Sequence, residues 1–138
     1  MDHETTVRRL YTLLSAGDVD GFAEFLADDF VEHEETPGIP PTKAGVKQFF
    51  HMYISAFPDL RLTPEEVLVI GDKAVARARA TGTHRGEFIG IPATGKTFDI
   101  KLIDMFRFEG DLVGEHWGVL DALAMMQQLG VVPAGPAA

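Results

Sequence analysis

No cysteine occurs in the 138 residues. Disulfides and thiolate metal sites are excluded, while the compartment is left open. No apolar run approaches the ~20 residues of a membrane span. The opening "MDHETTVRRL" has acids where a secretory leader has basic residues, and no apolar stretch follows it. A cytoplasmic protein without a membrane partner is expected. Positive charge is also short: 12 Lys and Arg stand against 21 Asp and Glu, a net charge of −9. Such a chain repels phosphate backbones, and its one basic pair, Arg8–Arg9, lies on a predicted helix, so no nucleic-acid partner is expected. Histidines at H-x-x-x-H or H-E-x-x-H spacing are missing. "GIPATGK" lacks the spacing of a phosphate loop, and no G-x-S-x-G nucleophile motif is present. No metal and no cofactor are expected.

Apolar residues make up 46% of the chain, enough for one core and too few residues for two. The reading is a single domain over 1–130 with a tail, "VVPAGPAA", over 131–138. The first third has helical periodicity. Val7, Leu10, Tyr11 and Leu14 fall on one stripe, and Gly17 ends it. Asp18 and Thr42 sit where caps of two further helices belong. The third helix carries Val46, Phe49, Phe50, Tyr53 and Phe57 on one face. From "LRLTPEEVLVI" onward the period is two, with Pro64 confining that strand to an edge. Helices followed by an antiparallel meander predict an α+β fold, with helices packed on one face of a curved sheet and a cavity between them.

The hairpin around Gly110 assigns faces. With a two-residue loop, Phe98, Ile100, Leu102, Asp104, Phe106 and Phe108 share a face with Val113, Glu115, Trp117, Val119 and Asp121. The first set is apolar except for Asp104, so this face is predicted to be buried. Asp104, Trp117 and Asp121 then point inward, and His116 points out with Met105 and Arg107; a bulge would invert the assignment. Ala74, Ala76, Ala78 and Ala80 leave room on the next strand for a helix or a ligand. His84 ends that strand, and His33 ends the first short strand. A carboxylate in an apolar pocket has a raised pKa and becomes a usable acid or base. Each residue also has a structural reading. Asp121 could cap the last helix, Asp104 could be satisfied by Arg77, Arg79 or a backbone amide, and Trp117 could be core. His33, His84 and His116 compete for the pocket.

"LADDFVEH", "AFPDLRL", "ATGTHRGEFIGIPATGK", "DMFRFEGDLVGEHWGVLD" and "QQLG" together resemble the SnoaL-like polyketide cyclase (ester cyclase) family of the NTF2-like superfamily. The resemblance implies a cone-shaped α+β barrel, frequently dimeric. It also implies an intramolecular aldol condensation of an aromatic polyketide ester without metal or cofactor. The aspartate closing the E-x-W-x-x-x-D stretch, Asp121, would be the acid/base. His33, His84, Asp104, Trp117, Tyr53 and Phe50 are the expected substrate contacts, and the partner is a small hydrophobic or aromatic molecule. Two alternatives stay open: a binder without chemistry, and an epoxide-hydrolase or isomerase type of enzyme using Asp104, Asp121 and an arginine.

Overall fold

The structure, a computed structural model, describes residues 1–133. Residues 134–138 of the expected tail lie outside that range. In chain order the elements are α1 (His3–Ser15), α2 (Val19–Ala23), β1 (Leu26–Glu32), α3 (Lys43–Ala56), β2 (Arg61–Ile70), β3 (Lys73–Thr83), β4 (Thr97–Glu109), β5 (Leu112–Leu120) and α4 (Ala122–Gln128). The helices begin where the capping residues sit. Asp18 accepts from the Gly21 N–H at 2.8 Å, and Thr42 accepts from the Gly45 N–H at 3.2 Å. Among the described residues no helix is long and apolar enough to cross a membrane.

One five-stranded sheet runs β1-β5-β4-β3-β2, antiparallel except for β1 beside β5. Strand β2 is an edge, and its register shifts just after Pro64. The alanine face explains how α1 seats. Ala74, Ala76 and Ala78 are fully buried and pack with Val7, Leu10 and Leu14 of α1, because side chains this small let a helix approach the strand closely. A second apolar cluster joins Tyr53, Phe57, Leu60, Phe88, Phe98, Met125 and Leu129, and Val131 packs against it.

The β4–β5 hairpin corrects the face assignment. Its loop is the two residues Gly110 and Asp111, with Glu109 opposite Leu112 and Phe108 opposite Val113. The register then slips: Arg107 lies opposite Glu115, leaving Gly114 as a bulge. Beyond it every side chain changes sides. His116 lies opposite Phe106 on the inner face, Trp117 opposite Met105 on the outer face, and Gly118 opposite Asp104. The inward placement expected for Trp117 and Asp121, and the outward one for His116, are therefore overturned by one extra residue.

Candidate active site

Between α1, α3 and the inner face of the sheet lies a cavity of about 340 Å³, within the range of small-molecule sites. Most of its wall is apolar, with Phe49, Phe50, Tyr53, Phe88 and Met125 prominent. Polar chemistry gathers around Asp104. That aspartate sits on β4 between Ala76 of β3 and Gly118 of β5, so both neighbouring strands leave its carboxylate room. A Cβ on Gly118 would come within 2.7 Å of Asp104 Oδ1 and 2.5 Å of Glu34 Oε1.

Four elements converge on this point. The Tyr11 hydroxyl, from α1, donates to Asp104 Oδ2 at 2.5 Å. His116, from β5, makes two bonds: Nε2 to Asp104 Oδ1 at 2.8 Å and Nδ1 to Glu32 Oε2 at 2.5 Å. Glu32 closes β1. Glu34 follows on the loop, and its backbone N–H donates to Glu32 Oε2 at 3.1 Å. Loop 33–42 can fold this tightly because Gly45 has no Cβ, which would stand 1.8 Å from the Pro40 carbonyl oxygen.

Electrostatics separate these groups. Burial alone would push His116 down, but hydrogen bonds and charge from Asp104 and Glu32 outweigh it and hold the imidazolium up to about 10. Burial pushes Glu34 up to about 7; His116 works against that rise, and Asp104 and Glu32 add to it. The Tyr11 phenol is raised by burial and by Asp104 beside it. At neutral pH the cluster is thus a fixed cation among carboxylates, with Glu34 near its midpoint. Among the described residues the Glu34 carboxylate accepts no hydrogen bond. Tyr53, in the same cavity, has a hydroxyl that donates to the Met125 thioether at 3.3 Å, a weak acceptor that a substrate oxygen would outcompete.

Glu34, Asp104 and His116 offer ligand atoms within 4.8 Å of one another. To ligate a divalent ion there, the His116 imidazole would have to give up its proton.

The remaining predicted residues lie elsewhere, apart from Phe50, which lines the cavity as expected. Asp121 is exposed and caps α4, accepting from the Ala124 N–H at 3.0 Å; it is not among the cavity-lining residues. Trp117 stacks on His33 outside the sheet, with ring centroids 4.7 Å apart, and His33 Nε2 meets Glu115 Oε2 at 2.7 Å. His84 is fully buried behind Phe57, with Nδ1 held by Thr94, and it does not reach the cavity. Arg77 and Arg79 face outward onto Glu65, Glu66 and Asp99, so the arginine of an epoxide-hydrolase-like arrangement is absent from the cavity. Sequence reasoning missed Glu32 and Glu34, and it placed Tyr11 on the apolar stripe of the first helix without a polar role.

The model of the SnoaL-like polyketide cyclases matches residues 4–129. The chain belongs to the SnoaL-like polyketide cyclase family. Aklanonic acid methyl ester cyclase DnrD of Streptomyces peucetius is 25% identical over 127 residues, 90% of this chain and 88% of DnrD. The structure of IdmH from Streptomyces antibioticus, a proposed polyketide cyclase, superposes with a TM-score of 0.80 at 32% identity, covering 92% of this chain and 97% of that one. AclR of Streptomyces galilaeus, a proposed hydroxylase, gives 0.85 at 26% identity, covering 96% and 83%. The fold is thus the NTF2-like α+β cone of the SnoaL-like cyclases, and the cluster of Tyr11, Glu32, Glu34, Asp104 and His116 lies on its inner face.

Proposed function

We propose that this SnoaL-like protein is a cofactor-independent cyclase that closes a ring of an aromatic polyketide ester by intramolecular aldol condensation. The observation that carries the reading is Glu34, a carboxylate with a pKa near 7, unpartnered, inside an apolar cavity and beside a fixed cation. Its carboxylate takes the proton from a carbon flanked by two carbonyls. The resulting enolate carbon attacks a ketone carbonyl of the same molecule, and a C–C bond forms. The alkoxide left behind takes the proton back from the Glu34 carboxylic acid, so the net change is an isomerisation. The His116 imidazolium stabilises the developing negative charge, and the Tyr53 hydroxyl donates to the enolate oxygen. A donor in such a position is worth ~2.7–4 kcal/mol in comparable sites. Asp104, held by Tyr11, accepts from His116 and orients the imidazolium.

The acid/base role expected of Asp121 is the rival assignment, and one comparison decides between them. Glu34→Gln keeps shape and removes the base; turnover of a tricyclic hydroxyanthraquinone-type ester should drop by ~10²–10⁴ with binding retained. Asp121→Asn should leave turnover near wild type. The opposite pattern gives the role back to Asp121. Unchanged turnover in both variants assigns the base to neither residue, and a wild-type protein that binds the ester without turning it over leaves a cavity that binds aromatic molecules without chemistry. Wild-type kcat/KM should rise with pH through about 7, as Glu34 ionises.

We also propose a homodimer through the outer face of the sheet, where Leu68 (57% exposed), Ile103 (47%) and Val119 (70%) stand with Trp117. Sedimentation showing a monomer at micromolar concentration overturns it.

A further inference from the structure

Loop 84–96 is tied at its base and in its middle, and its tip is left free. His84 exchanges backbone bonds with Gly95 and Lys96 (2.9 and 2.8 Å), and Arg85 and Gly86 donate to the Ala56 carbonyl. Phe88 is buried edge-on against Tyr53 and Phe57. Phe88 and Ile91 then exchange reciprocal backbone bonds of 2.9 Å around the two residues Ile89 and Gly90. Both have positive φ, +49° and +76°, the pattern of a type I′ turn. Asn-Gly is what this turn favours. Isoleucine, β-branched, is among the residues least suited to the left-handed region, and Ile89 is the only non-glycine residue with positive φ among those described. It is also 62% exposed. Two penalties, backbone strain and exposed apolar surface, fall on one side chain, and that side chain lines the cavity. A residue both mostly wet and part of the cavity wall stands at the opening. Strain of this kind persists where the side chain it presents has a use.

We infer that Ile89 is a specificity-determining residue, an apolar lip that closes over an aromatic guest at the cavity mouth. The inference rests on the aromatic-guest part of the function proposed above and does not depend on the aldol step. The guest would cover the exposed Ile89 side chain, so the contact lowers KM and leaves the chemistry at Glu34 unchanged. An unstrained polar residue would fold better and bind worse.

The test pairs thermal melting with fluorescence titration of 1-aminoanthracene, a neutral tricyclic probe. Ile89→Asn should raise the melting temperature by roughly 2–5 °C and weaken probe binding by ~10-fold. Ile89→Gly should weaken binding to the same degree. Ile89→Leu, apolar but unbranched at Cβ, should bind as wild type does. With a polyketide ester, Ile89→Asn should raise KM by ~10-fold and keep kcat. Unchanged probe affinity in the Asn and Gly variants overturns the inference, as does a lowered melting temperature in Ile89→Asn or a wild-type protein that does not bind the probe. If the probe series behaves as expected while no ester is turned over, the lip stands and the cyclase reading fails.

Discussion

The two faces of β5 carry the same set of parts. Inside, His116 bonds Asp104 at 2.8 Å and lies 5.1 Å from the Phe106 ring. Outside, His33 bonds Glu115 at 2.7 Å and lies 4.7 Å from the Trp117 ring. The contacts are nearly equal and the environments are not. The inner histidine and aspartate side chains are 13% and 12% exposed, the outer histidine and glutamate 37% and 26%. Inside, desolvation and two carboxylates act on one imidazole. Outside, Glu115 is shared with Arg107 and held below the usual carboxylate range by the hydrogen bonds from Arg107 and His33. An ion pair half in water is worth little; one in the cavity wall sets the charge state of its neighbours.

Gly114→Val breaks the comparison most completely. A Cβ on the bulged residue would stand 2.7 Å from the Arg107 guanidinium and 2.8 Å from Glu109 Oε1, and a β-branched side chain favours regular pairing with residue 114 opposite Arg107. In that register Trp117 turns inward and His116 outward, and turnover should fall to background, with the Trp117 emission shifted to the blue. Unchanged activity and emission would mean that the bulge does not set the faces.

His116→Gln comes next. It leaves Asp104, Glu32 and Glu34 without their cation and should cost about 3–5 kcal/mol in a denaturant titration. The sign with pH is specific. His116 is raised from 6.5 to about 10, so its stabilisation is fully present below pH 6.5 and lost as pH rises through about 10. Glu34 is a raised carboxylate, so its contribution has the same sign over a lower window: stability falls as pH climbs from 4.5 through about 7. Glu34→Gln should remove that lower fall and keep the upper one.

Asp121→Ala should cost about 1 kcal/mol as a lost helix cap, read by thermal melting, with kcat near wild type. Glu115→Gln, on the outer face, should leave both stability and turnover close to wild type. A large kinetic effect there would erase the distinction between the faces.

Much of this architecture can be read from spacing. The caps Asp18 and Thr42, the edge position of the Pro64 strand, the alanine face of β3 and the two-residue hairpin loop all follow from residue type and period. Asp121 as a cap was one of two readings that its position allowed. The bulge was not legible, although its marker was: Gly114 sits inside an otherwise β-prone run, and an interior glycine often signals an extra residue. A plain glycine in register would look the same in sequence, and a slip of one residue exchanges the whole set of candidates. Glu34 was hidden for another reason. It stands in "EHEETPGIPP", where no period exists, and the path of the loop, with Pro40 close against Gly45, brings Glu32, Glu34 and Glu35 to the cavity wall.

The bond from Tyr11 to Asp104 joins positions 93 residues apart, and the bond from Glu32 to His116 spans 84. On a growing chain, α1 leaves the ribosome long before the strands that will cover Val7, Leu10 and Leu14. The cluster around Asp104 therefore belongs to the last part of folding, after loop closure over most of the chain, and the protein should fold slowly for its size. Until β4 and β5 arrive, the N-terminal helices present a bare apolar stripe, and that interval is when this protein most needs a chaperone.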